Sequence, residues 1–191
     1  MTRKKDSAGR LQFTLIALVF FGPLILATGM YFTGASFQPA GRTNNGDLLQ
    51  PVIPIADELP DSSLLDNIRG RWLLLYSNNG ACEDACNRAL YILRQSRLAL
   101  GNDRDRLGRV LLRVESAPDT VNPGANYAGT IILTDDALSE WLQAKKPVAA
   151  ASGGYFLIDP LGNLVMYFSP EIDPSAMVED IEHLLELSRI G

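Results

Sequence analysis

From Leu11 to Phe32 the chain carries no charged side chain, and this run constrains everything else, because water is a poor solvent for it. At 1.5 Å rise per residue its 22 positions would span about 33 Å, the thickness of a bilayer core. Gly22-Pro23 lies inside the run, a pairing that membrane helices tolerate. Arg3, Lys4, Lys5 and Arg10 precede it, whereas only Arg42 occurs in the first stretch beyond it. The positive-inside rule then leaves residues 1–10 in the cytoplasm and exports everything after about residue 33. A cleaved signal peptide is the alternative, but an h-region is only about 7–15 residues long and Thr33-Gly34-Ala35 is a poor cleavage site. The expectation is an uncleaved single-pass anchor over 11–32 in the inner membrane, with the C-terminal part in the periplasm.

Residues 33–51 are rich in Gly, Asn, Gln and Pro and read as a tether. Residues 52–191 are enough for one domain with its own core. The whole chain has a net charge of −5, yet its first ten residues hold four basic groups and one acid. The acid excess therefore sits in the exported part, which excludes nucleic acid as a partner. An acidic surface suits a cationic protein partner, and it equally suits simple solubility.

Within that domain, Trp72-Leu73-Leu74-Leu75-Tyr76 reads as a buried strand. A polar loop, Ser77-Asn78-Asn79-Gly80-Ala81, comes next, and then a helix from about Glu83 to Leu100. Cys82 and Cys86, the only cysteines of the chain, flank the helix start. Further along, Arg109–Val114 and Thr130–Thr134 read as strands separated by a long surface connection, Glu115–Ala128. Asp135-Asp136 begins a helix through Trp141 that ends before Pro147. Tyr155–Ile158 and Asn163–Phe168 form a hairpin about the turn Asp159-Pro160-Leu161-Gly162. Asp173-Pro174 opens a last helix whose apolar face is Met177, Ile181, Leu184 and Leu185. Two βα units and then ββα predict an α/β thioredoxin-like fold, a central mixed sheet flanked by helices. Val52-Ile53-Pro54-Ile55 adds an edge strand, because proline cannot serve in a central one.

Positions i and i+4 of a helix share a face, with β-carbons roughly 6 Å apart. Cys82 and Cys86 can therefore bridge, or grip one soft metal ion such as Cu(I) between two thiolates. In thiol–disulfide chemistry the more N-terminal Cys82 would attack and Cys86 would resolve the mixed disulfide. A helix N-terminus favours the Cys82 thiolate, while Glu83 and Asp84 oppose it. For a metal, a third ligand would come from a backbone carbonyl, Met166, a partner or solvent. Met166 alternates along its strand and is expected in the core instead. Ser77, Asn78 and Asn79 are expected to orient the loop, and Trp72, Tyr76 and Trp141 to pack. An inert local disulfide is the bland alternative, although a bridge closing so short a loop stabilises weakly.

Four features together resemble the SCO/SenC family of thioredoxin-like cytochrome c oxidase assembly proteins. They are Ile68-Arg69-Gly70-Arg71-Trp72, the CxxxC of Cys82-Glu83-Asp84-Ala85-Cys86, Tyr155 to Gly162, and Asp173-Pro174. The resemblance covers about Leu64 to Leu187 and extends to the single anchor. It implies copper held by two cysteines and a distal histidine, and partners that are an oxidase subunit or another assembly factor. The family's histidine would fall in Pro147–Gly154, where this chain has none. Its one histidine, His183, lies on the last helix and is expected on the flank of that helix, away from Cys82. The chain thus reads as a divergent member lacking the distal copper ligand.

The expected role is oxidase assembly through the dithiol, by delivering copper or by reducing client cysteines. A general thiol–disulfide oxidoreductase and a non-catalytic assembly scaffold are the alternatives. No phosphate-binding loop or hydrolytic triad is present.

Overall fold

A computed structural model describes residues 5–33, 44–68, 70–77, 84–115, 127–147, 150, 153–188 and 190. The chain divides into two compact units, residues 1–42 and 43–191. Among the described residues the first holds one helix, α1 (Lys5–Thr33), containing Pro23. Its segment Gly9–Met30 is long and apolar enough to cross a membrane, and Phe13, Val19 and Phe20 are exposed on it. Two hydroxyls in this segment are satisfied by the helix itself: Thr14 Oγ1 donates to the Arg10 carbonyl (2.9 Å) and Thr28 Oγ1 to that of Leu24 (2.7 Å). That is what an apolar solvent requires of them.

The second unit is built on a six-stranded sheet. Its strands are β1 (Asp47–Pro54), β2 (Trp72–Ser77), β3 (Leu107–Arg113), β4 (Thr130–Thr134), β5 (Gly154–Ile158) and β6 (Asn163–Phe168), in the order β1-β6-β5-β2-β3-β4. β2, β3 and β4 run parallel, while β5 lies antiparallel to β2 and forms a hairpin with β6. β2 is a central strand, and every residue from Trp72 to Ser77 is buried. Burial on both faces explains its unbroken apolar sequence.

Among the described residues, five helices join the sheet in this unit. They are the single turns α2 (Ile55–Glu58) and α3 (Leu65–Ile68), then α4 (Asp84–Ala99), α5 (Asp136–Lys145) and α6 (Pro174–Leu187). Two cores result, one on each face. α4 and α6 cover Trp72, Leu74, Tyr76, Leu111 and Leu157. The opposite core joins Leu138 and Leu142 of α5 and Ile55 of α2 to Leu73, Leu75 and Phe156. The buried face of α4, Cys86, Ala89, Leu90, Leu93 and Ser96, obeys the helical repeat. The thioredoxin-like arrangement expected from the strand and helix order is present.

Its details depart from expectation in four places. The sequence extends the tether to Pro51, but β1 begins at Asp47 and pairs Leu48 with Met166 of β6. The cause is Asp180 of α6, whose carboxylate accepts from Asn45 N (3.1 Å), Asn45 Nδ2 (3.1 Å) and Gly46 N (2.7 Å), fixing the chain before the strand. β1 is an edge strand, and its register shifts between Leu48 and Ile53, around Pro51. Second, β3 starts two residues before Arg109 and stops at Arg113. Third, a 3-10 turn occupies Gly101–Arg106. Fourth, α2 comes directly after Pro54. Most of the long connection after β3 lies outside the described residues, as do residues 34–43 of the tether.

Candidate functional site

β2 ends at Ser77 and α4 starts at Asp84, and residues 78–83 between them, including Cys82, Asn78 and Asn79, lie outside the described residues. The site is therefore built from what frames that loop. Cys86 sits in the first turn of α4, is wholly enclosed, and belongs to the α4-side core with Tyr76, Leu90, Tyr155 and Met166. It is disulfide-bonded, in a chain with one other cysteine.

In the same core, Tyr76 of β2 and Tyr155 of β5 are cross-strand partners whose rings lie 5.0 Å apart at 51°. Both rings are buried. Burial pushes both phenols above their ordinary value, Tyr155 strongly, with Tyr76 adding to the rise and the Arg88 charge opposing it. Both hydroxyls thus stay protonated at neutral pH and offer donors. The sequence alone places Tyr76 in the core and gives Tyr155 no role beyond its strand. The aromatic pair becomes visible only once β5 is set antiparallel beside β2.

The start of β5 adjoins the end of β2 through the pair Ser77 and Gly154. Tyr167 Oη donates to the Gly153 carbonyl (3.0 Å), and burial, then Asp47, raises the Tyr167 phenol. Gly154 has φ +143°, and a β-carbon there would lie 2.5 Å from the Tyr167 ring and 2.7 Å from the Phe168 carbonyl. Only glycine fits. The Gly153-Gly154 pair before an aromatic strand is the available sequence signal for this close approach.

Ser77 serves the loop differently from expectation. Its hydroxyl is buried and meets that of Ser139 on α5 at 3.2 Å, so it pins the end of β2 to the opposite layer. Trp72 packs in the core as expected. Trp141 is half-buried, and its Nε1 donates to Glu58 Oε2 (2.8 Å). Met166 is core, 1% exposed. His183 lies on the exposed side of α6, beside a cavity of about 250 Å³ with Asn44, Glu179 and Asp180. Among the described residues no group of three His, Cys, Asp or Glu side chains could hold a metal ion. A roomier cavity, about 660 Å³, lies between the end of α4 and the start of α6, lined by Gln95, Ser96 and Val178 among others. Those α4 residues begin nine positions beyond Cys86, roughly 14 Å along the axis at 1.5 Å per residue, so this cavity belongs to different ground.

A family model described as "Transmembrane-like, thioredoxin-like, C-terminal domain" matches residues 72–188, more than half of the chain. The chain belongs to this transmembrane-like, thioredoxin-like family. The companion model, "Transmembrane-like, N-terminal domain", matches residues 3–34, the segment that holds α1. No curated protein matches. Solved structures that superpose include copper-bound ScoI from Arabidopsis thaliana, at 16% identity over 64% of this chain and 89% of that one, TM-score 0.46. Copper-bound ScoI from Bradyrhizobium japonicum is 17% identical over 62% and 87%, TM-score 0.41. Peroxiredoxin Q from Xanthomonas campestris is 17% identical over 64% and 83%, TM-score 0.43. Likeness of this degree says nothing about chemistry.

Proposed function

We propose that this family member is a membrane-anchored thiol–disulfide exchange protein acting on cysteines of a client on the exported side. The client that the CxxxC resemblance suggests is a cytochrome c oxidase subunit whose copper-ligating cysteines must be reduced before metal insertion. The observation that carries the reading is Cys86: disulfide-bonded and enclosed in the first turn of the helix after β2.

In the reduced chain, the Cys82 thiolate attacks one sulfur of a client disulfide and the client's other sulfur leaves as a thiolate. Cys86 then loses its proton and attacks the Cys82 sulfur. The client departs with two thiols, the chain keeps a disulfide, and two electrons have passed to the client; a dithiol donor resets the pair. The enclosure of Cys86 suits the resolving role. Protonated Tyr76 and Tyr155 frame the site without competing as nucleophiles.

A second reading takes Cu(I) as cargo between the two thiolates, which the CxxxC spacing favours. Neither residue considered as a third ligand is suitably presented: Met166 is shut in the core and His183 faces solvent. The test uses the full chain in detergent micelles with a disulfide-bonded client peptide. Cys86→Ser should trap a mixed disulfide and Cys82→Ser should not. Absence of trapping, together with tight one-to-one Cu(I) binding lost in the double serine variant, would replace the first reading by the second. Undiminished oxidase assembly in cells carrying that double variant would sink both and leave a scaffold.

A further inference from the structure

Arg109 of β3 is the most enclosed basic side chain among the described residues, 5% exposed. Alternation along β3 sets it on the α4 face with Leu107 and Leu111. Its Nη2 donates to the Ala128 carbonyl at 2.8 Å, while its Nε is buried with no partner. Among the described residues no carboxylate pairs with it. The contrast with Asp180, the other enclosed charge, is direct, since three donors surround that carboxylate.

The neighbouring charges make the shortage worse. Arg94 and Arg97 of α4 both bear on Arg109, whose basicity is lowered first by burial and then by these two cations. Arg97 has its own acid, Asp105, at 2.7 Å. Arg94 has none among the described residues. Opposite Arg109 in the β3–β4 register stands Thr130, whose hydroxyl is also buried and unpartnered. Gly129, at φ +82°, lets the backbone pass close to the guanidinium: a β-carbon there would lie 3.4 Å from Arg109 Nη2. Buried cations are ordinarily paired, and buried hydroxyls ordinarily bonded. Here Arg109 Nε and the Thr130 hydroxyl are buried on paired strands, with no partner for either among the described residues.

We propose that Arg109, Arg94 and Thr130 form a binding site for a small oxyanion between α4 and the β3–β4 pair. A guanidinium presents N–H groups in a fork that matches two oxygens of a phosphate, sulfate or carboxylate, and the threonine hydroxyl supplies a further donor. The site is independent of the dithiol, and it ties the middle of α4 to the parallel edge of the sheet.

The test is thermal unfolding of the full chain in detergent micelles. Phosphate, sulfate and succinate are titrated separately in the low-millimolar range against chloride at constant ionic strength, which removes general salt effects. The expected result is a saturable rise in Tm of about 2–6 °C in at least one arm. A response to phosphate and sulfate alone marks a tetrahedral anion, and a response to succinate alone marks a carboxylate. Arg109→Met should abolish the response and should itself raise Tm in chloride, because it removes an uncompensated buried charge. Thr130→Val and Arg94→Gln should weaken apparent affinity about fivefold or more, in line with loss of a charge-assisted bond. No saturable response in the wild type, or an equal one in Arg109→Met, overturns the site. Should Arg109→Met not fold, an unaltered response in both other variants overturns it equally.

Discussion

Asp180 and Gly154 show how single residues decide where this domain begins and how its site is framed. Asp180 is 6% exposed and gathers the Asn45 and Gly46 donors, so Asp180→Ala leaves three of them without that acceptor. The expected loss is about 2–4 kcal/mol in urea unfolding, given roughly 1–3 for an unsatisfied buried partner of a charged group. A loss under about 0.5 kcal/mol, the level of an ordinary surface change, would mean water replaces the carboxylate freely. Gly154→Ala adds both a clash and a strained φ. It should cost about 2 kcal/mol or more, and the displaced Tyr167 ring should alter near-ultraviolet circular dichroism. Gly154 is signalled in the sequence only by the Gly153-Gly154 pair before an aromatic strand, and Asp180 is not legible as special at all. Asp180 reads as one more acid on an acidic helix, and its meaning comes from a segment 134 or more positions away.

At the scale of elements, legibility depends on how locally each boundary is encoded. β4 and β6 appear at the expected residues, because apolar runs stop at polar turns. The hairpin turn encodes itself: Asp159 Oδ1 accepts from Leu161 N and Asn163 N, both at 2.9 Å, and Gly162 takes φ +88°. Asp159→Ala should therefore cost about 1–2 kcal/mol, read as a lowered urea midpoint. α5 and α6 open on Asp135 and Asp173 as expected, each capping its own helix. The true start of β1 is hidden because Asn44-Asn45-Gly46-Asp47 has turn chemistry and Pro51 breaks the apolar run; tertiary capture overrides both. α2 is also hidden, since one turn carries little periodicity. It is held from outside, with Glu58 bonded to Lys145 Nζ and Trp141 Nε1, both at 2.8 Å. The Lys145 bond, then the Trp141 bond, holds the Glu58 carboxyl below its ordinary pKa. A depressed carboxyl adds stability above its unfolded pKa and loses it as pH falls through the folded one. The stability gap between wild type and Glu58→Gln should thus be present at neutral pH and close as acid takes the pH below the ordinary glutamate range. An unchanged gap would remove the charge from the clamp.

For the molecule as a whole, the sheet separates two tasks. One face, under α2, α3 and α5, is a core built without Cys86; the other, under α4 and α6, holds Cys86 and the tyrosine pair. Under the proposed thiol–disulfide exchange, the α4 face alone must survive the redox cycle. The two cysteines are four positions apart, and closing so short a loop restricts the unfolded chain little, worth about 2 kcal/mol in the chain-entropy model. The strands, the two cores and the Asp180 anchor do not depend on it. Reducing the full chain should accordingly lower unfolding stability by no more than about 2 kcal/mol, with far-ultraviolet circular dichroism unchanged, when urea titrations with and without a dithiol reductant are compared. A protein that alternates between dithiol and disulfide needs this near-balance, since a bond that stabilised the fold strongly would resist reduction by the same free energy. A loss well beyond that value, or collapse of the fold on reduction, would make the Cys86 disulfide a staple and remove the thiol–disulfide reading from this family member.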